Sequence, residues 1–525
     1  VLRAPGLLFA LLALALAPAA FADDVISPAA EAVAVTIYRD GPVDTAALRR
    51  SDGSSGLALI NETRTVDLPA GRTRIRFEGV ADGVIPESAA IEGLPALERN
   101  FDYDLLNPAS MLAHAIGETV TLRHIDARTG KVTEEPAVVR SAPDGAVLAT
   151  AHGVEALHCS GGAEGLVFAH MPTGLADRPT LSAIVDAPSA GRYQLRLSYL
   201  SVRLNWSADY VARIAADGRS LDLIGWITLA NGSTMSFANA PTAVVAGNLA
   251  RIAVNLPQPN APALDLACWP NQTTHSGWIY PVPPPPPPLR PAPEMAAGMP
   301  VTVTAYARRE VLEKVPVRTT QSQLGDYKLY TLVEPTTVAA QQTKQIAFLH
   351  QPAVTFETLY TYEAAPAGDA GGDEGLTAAT TTLRFENKPE KGLGQPLPQG
   401  AVWLRQTQSP GGELFIGSKT IDDVAVGAPF EIALGAASDV TLHARVVSDT
   451  HAAPHRRRLT FEVEAANAKP KPVVVEIRQR VGDVTGLAIP AESLAHGTKG
   501  GDPLWRLPLP ANATATLTYT LEFDD

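Results

Sequence analysis

Tyr193-Gln194-Leu195-Arg196-Leu197-Ser198-Tyr199 sets large apolar side chains at every second position, with polar ones between them. Successive side chains on a strand point to opposite faces, so this stretch reads as a strand with one dry and one wet face. The period returns far along the chain. Leu517, Tyr519, Leu521 and Phe523 alternate with Thr516, Thr518, Thr520 and Glu522, and Thr73, Ile75 and Phe77 alternate with three arginines. Leu459, Phe461 and Val463 repeat it again. One-sided strands belong to antiparallel sandwiches and barrels. Pro143-Asp144-Gly145 and Thr129-Gly130 supply turn chemistry between such runs. The fold class expected is mainly β, a multi-domain β-sandwich.

One helix interrupts the pattern. Asn107 suits a cap, Pro108 the first helical position and Gly117 the end, which predicts a short helix over 108–116. Met111 with Ala115, and Leu112 with Ile116, are spaced i,i+4 and would form its buried stripe. Short strands follow, so 101–172 is expected to be a small β-barrel-like module carrying that helix. It is set between two parts of a larger β structure, an N-terminal β region at 23–100 and a β-sandwich domain whose first part is 173–280 and whose remainder is 301–525. Residues 281–300 form a Pro-rich linker, and the six prolines at 283–288 favour a stiff polyproline II spacer. Residues 364–376, rich in Ala, Gly and Asp, read as a flexible loop.

The first residues read as an export signal. Arg3 precedes an apolar run at 7–17, Pro18 breaks it, and Ala20-Phe21-Ala22 has the small-x-small pattern of a cleavage site. The run falls short of the roughly 20 residues that span a bilayer, and no later stretch is apolar for long enough. Residues 1–22 are therefore expected to be a signal peptide that sends the chain to the periplasm or cell envelope of a bacterium. Acidic residues outnumber basic ones, 55 to 42, which argues against general attraction to nucleic acid or anionic lipid. The two cysteines, Cys159 and Cys268, suit a disulfide in an oxidising compartment, closing a loop of roughly 110 residues. Two free buried thiols are the other reading.

Catalytic patterns are absent from the sequence. There is no Gly-x-Ser-x-Gly, phosphate loop or dinucleotide fingerprint. His158 and Cys159 are adjacent, and so point to opposite faces of a strand. Eleven histidines are scattered without His-Glu-x-x-His or Cys-x-x-Cys spacing. His152, His158 and His170 fall together in the small module, where unligated turn histidines are the simpler reading. No catalytic residue, cofactor or metal is expected.

From Tyr193 onward several blocks carry a resemblance. They are Leu197-Ser198-Tyr199-Leu200 with Asn205-Trp206 and Tyr210, then Trp226 and Asn231, then Leu324-Gly325-Asp326-Tyr327. Phe385-Glu386-Asn387, Leu393-Gly394-Gln395-Pro396-Leu397-Pro398-Gln399-Gly400, Ile416-Gly417 and Leu504-Trp505 follow. In these the chain resembles the bacterial envelope proteins grouped as domain of unknown function 4139, which include mucoidy-inhibitor-A-like proteins. It looks like a shorter branch, without the long coiled coil of many relatives. The resemblance implies a β-sandwich of the envelope and brings no established activity. Trp206, Tyr210, Trp226, Asn231, Gly325, Asn387, Gly394, Pro396, Gly400, Gly417 and Trp505 are thus expected to be fold signatures. The function expected is that of a non-catalytic interaction or scaffold component touching envelope protein or polysaccharide. The alternative is a hydrolase of envelope polysaccharide or peptide whose site forms only in three dimensions.

Overall fold

A computed structural model describes residues 24–39, 56–102, 108–126, 128–141, 146–156, 163–172, 175, 177–247, 249, 316–368, 373–408 and 412–524. The expected export signal, both cysteines, His158 and the Pro-rich linker lie outside the described residues. What is described is mainly β, as the alternation predicts. No described helix is long and apolar enough to cross a membrane.

The strand quoted first, now Gly191–Ser201, sits inside a seven-stranded sheet. It pairs antiparallel with Leu57–Leu68 on one side and Val84–Glu92 on the other. Leu195, Leu197 and Tyr199 are all buried, and the residues between them face outward. The rest of that sheet runs through Ala32–Tyr38, Thr242–Ala246, Tyr327–Leu332 and Thr319–Leu324. A four-stranded sheet packs against it, in the order Val25–Ser27, Gly71–Glu78, Thr180–Ala187, Ala96–Asp102. At Val202-Arg203 the chain turns a corner into a five-stranded sheet, where Leu204–Ile214 pairs with Ser220–Asn231 and, in parallel, with Gly400–Thr407. Gln342–Thr355 and Glu413–Ile421 form its edges. Arg203 takes a left-handed backbone (φ 73°) at that corner, and its guanidinium donates to Asp82 Oδ2 at 2.9 Å. These three sheets share one core.

Ala32–Tyr38 and Leu57–Leu68, from the N-terminal part, interleave with strands from 191–201, 242–246 and 319–332. Residues from 301–525 contribute to two hydrophobic cores. Strands from 357–386 and 429–524 build a nine-stranded sheet with a second core. Trp505 stacks on Tyr519 at 4.2 Å, although their strands lie second from opposite ends of that sheet. The sheet therefore folds back over itself as a sandwich. Pro429–Ala453 serves both cores, with Ile432 in the first and Leu442 and Ala444 in the second. Strands at Glu357–Ala364 and Asp373–Glu386 take both ends of the loop expected at 364–376, and Ala367 between them is buried.

The small module is inserted between Ala96–Asp102 and Thr180–Ala187, two strands that pair with each other. It holds a five-stranded sheet ordered Gly153–Ala156, Val147–Thr150, Val132–Ser141, Thr119–Ile125, Ala163–Val167. Among the described residues its two edges do not pair, so it is an open sheet and not a closed barrel. The predicted helix is present as Pro108–His114, with Gly117 in the left-handed region (φ 90°). Leu112 and Ala115 are buried as expected, whereas Ile116 lies past the helix end and is exposed. The helix stops two residues short of Ile116, so Ile116 is not carried onto the buried stripe.

Candidate functional site

The signature residues go mostly to packing. Trp206 and Tyr210 share the inner face of Leu204–Ile214, both fully buried, as their even spacing predicts. Trp206 Nε1 donates to the Val245 carbonyl at 3.1 Å, and the Tyr210 hydroxyl donates to the Pro398 carbonyl at 2.7 Å. The Tyr330 hydroxyl reaches the Pro396 carbonyl at 3.1 Å. The prolines thus offer two carbonyls that buried tyrosines satisfy, beyond shaping a turn. Asn387 ties the same loop down, its amide donating to Gln395 and Ala425 carbonyls while its Oδ1 accepts from the Gly394 N–H. Gly394 needs its left-handed backbone (φ 96°). A Cβ on Gly400 would stand 2.0 Å from the Ala208 carbonyl oxygen, so only glycine lets these parallel strands meet. Asn231 braces a second turn by donating to Met235 and Val338 carbonyls. Gly325 turns the hairpin between Thr319–Leu324 and Tyr327–Leu332, and Gly417 sits at a bulge opposite Leu404-Arg405. Trp505 belongs to the second core, its Nε1 donating to Glu492 Oε2 at 2.9 Å.

A charged clamp closes the loop that runs from Asn387 to Gly400. Arg39, almost fully buried, donates from Nη1 to Asp423 Oδ1 at 2.7 Å, and the Gln399 N–H reaches the same oxygen at 2.8 Å. Burial by itself would raise the Asp423 carboxyl, but the Arg39 and Gln399 hydrogen bonds outweigh it and hold it below the usual carboxylate range. A depressed carboxyl contributes stability that is present above its unfolded value, about pH 4, and is lost as pH falls through the lower folded value. Asp423→Asn should cost about 1–2 kcal/mol at neutral pH, since water reaches the carboxylate and screens it. Denaturant titrations at several pH values would check this: the difference from wild type should shrink in acid. An equal difference at every pH would remove the clamp.

Trp226 departs from the other signature tryptophans. It lies half-buried on the outer face of the five-stranded sheet, and it leads to the surface with functional character. On that face Ile224 is the cross-strand partner of Val211, and Val211 of Trp403. Phe415 extends the row, its ring 6.2 Å from that of Trp403. Trp403 is 45% and Phe415 62% exposed. Buried Val402 and Leu404 fix the register that turns Trp403 outward. A row of apolar and aromatic side chains therefore crosses four strands and ends in solvent.

The next row along the same face is charged. Arg213 is the cross-strand partner of Asp222, its Nη1 3.8 Å from Asp222 Oδ2, and its Nε pairs with Glu413. Arg405 also approaches Glu413, at 3.4 Å. His350 Nε2 lies 3.0 Å from Asp222 Oδ1. Arg213, Asp222 and His350 open on a cleft of about 830 Å³ whose wall also includes Leu221, Pro316 and Pro352. Asp222 Oδ2 is buried there without a hydrogen-bond partner. Sequence reading missed this constellation. Asp222, His350, Arg213 and Glu413 come from four strands, and only the alternation of each strand hinted at their facing. No family model matches the chain, and no curated protein matches it either.

Proposed function

We propose that the chain is an exported, non-catalytic component of the bacterial cell envelope, of the family it resembles in sequence, and that it binds an envelope polysaccharide through the outer face of its five-stranded sheet. One observation carries this reading: Trp403 and Phe415 stand exposed in ring contact, one row from the Arg213, Arg405 and Glu413 charges. Large aromatics left in solvent on a well-packed sheet mark an interaction surface. Sugar rings present an apolar C–H face to such side chains, while their hydroxyls find donors and acceptors in Arg213, Arg405, Asp222 and Glu413. The export signal, the cysteine pair and the sequence blocks support an envelope address.

Trp403→Ala and Phe415→Ala should each weaken glycan binding about tenfold or more, roughly 1.4 kcal/mol per tenfold. Folding stability should change little, because both side chains are exposed. Titration against purified envelope polysaccharides, with in-cell cross-linking of the same variants, reads both effects. Retained glycan binding together with loss of a cross-linked protein would make the partner a protein. The hydrolase reading draws on the Asp222–His350 pair inside the cleft. It would prevail if wild type turned over a glycan or peptide and Asp222→Asn did not.

A further inference from the structure

The small module gathers titratable groups that lie far apart along the chain. His124 follows Val120 and Leu122 on the inward face of Thr119–Ile125, towards the end away from the helix. Glu164 is its cross-strand partner on Ala163–Val167. Glu135, on Val132–Ser141, brings Oε1 to 3.5 Å from His124 Nε2. Glu155 comes from Gly153–Ala156, the far edge of the sheet, and still places Oε2 3.9 Å from the same nitrogen. In a flat sheet those two strands would be roughly 14 Å apart, three strand spacings. The sheet therefore curls until its unpaired edges face each other across this cluster.

The carboxylates there are partnered differently from the buried carboxylates of the two large cores. Glu62, Asp82, Asp423, Glu476 and Asp502 are each given an arginine. Glu135 and Glu155 have no lysine or arginine among the described residues, and share a single imidazole. Donor atoms of His124, Glu155 and Glu164 all lie within 4.8 Å of one another. Ligand atoms around a zinc-like ion at about 2.1 Å stand roughly 3.4 Å apart, which ordinary side-chain rotation would reach from here. An imidazole with carboxylates suits a divalent transition metal, whereas calcium and magnesium take oxygen donors.

We propose that His124, Glu155 and Glu164 form a binding site for a divalent transition-metal ion of the zinc type, with Glu135 alongside, clamping the two unpaired edges of the small module. The ion would join strands that no backbone ladder joins, and would offset the clustered negative charge.

Isothermal titration of the full chain with Zn²⁺ tests this. Wild type should bind one ion at this site, and His124→Gln and Glu155→Gln should each weaken that binding at least tenfold. Glu134→Gln, on the opposite face and paired with Arg123, should leave it unchanged. Zn²⁺ should raise the melting temperature of wild type in a concentration-dependent way, and not that of His124→Gln. All these side chains are partly exposed, so the variants should fold. Absence of Zn²⁺ binding, identical binding by wild type and His124→Gln, or equally tight binding of Ca²⁺ would each overturn the proposal.

Discussion

Glu62→Ala is expected to destabilise the protein by about 3–5 kcal/mol, because it strands a buried guanidinium. Glu62 and Arg64 sit in the inward row of Leu57–Leu68, among Ala58, Ile60, Val66 and Leu68, and both are almost fully buried. Arg64 Nε donates to Glu62 Oε2 at 2.7 Å, and its Nη1 donates to the Ser27 carbonyl at 2.8 Å in the facing sheet. The guanidinium also lies 5.8 Å over the Phe77 ring. On the other side, the Tyr199 hydroxyl donates to Glu62 Oε1 at 2.6 Å and accepts the Ala81 N–H. Burial first, then the Glu62 charge, holds that hydroxyl well above its ordinary titration range, so it stays a donor. Removing the carboxylate leaves the arginine without a countercharge and the tyrosine without an acceptor.

The paired replacement Glu62→Leu with Arg64→Met should recover much of the loss, since well-packed apolar residues often match a buried ion pair. Chemical denaturation of the three proteins reads the difference. If Glu62→Ala lost less than about 1 kcal/mol, water would have to reach Arg64, and the buried pair would be discounted.

Trp206→Ala should cost about as much, roughly 3–5 kcal/mol, by a different mechanism. Its side chain is fully buried where the seven-stranded and five-stranded sheets meet, with Tyr330 6.5 Å away. Truncation opens a cavity in the first core and leaves the Val245 carbonyl without the indole donor. Trp206→Phe keeps most of the apolar area and should cost distinctly less. Trp505 has a comparable place in the second core, so Trp505→Ala should weaken the nine-stranded sheet first. Hydrogen exchange resolved by region would separate the two. Uniform loss of protection in both variants would mean that the two cores unfold as one unit.

Legibility in the sequence tracked how local each determinant was. Tyr193 to Tyr199 and Leu517 to Phe523 were readable as strands because alternation is a property of neighbours. The helix from Pro108 was readable because a proline start and a glycine stop lie within one short segment. The charges within Leu57–Leu68 were not readable as core, since Glu62 and Arg64 look like a wet face until Ser27, Phe77 and Tyr199 close around them. Trp206 and Trp226 looked alike as signature tryptophans, yet one packs the core and the other lies half-buried on the outer face.

By itself, then, the sequence determined that this is a mainly β protein with one short helix, and which face of many strands is dry. Which strands pair was decided only by the tertiary structure. Ala32–Tyr38 meets Thr242–Ala246, and Leu204–Ile214 meets Gly400–Thr407, across separations that no local pattern encodes. The same folding brought Trp403 to Phe415, Asp222 to His350, and His124 to Glu155. The first two contacts depend on which strands pair and the third on how a sheet curls, and burial of apolar area over the whole chain sets that geometry.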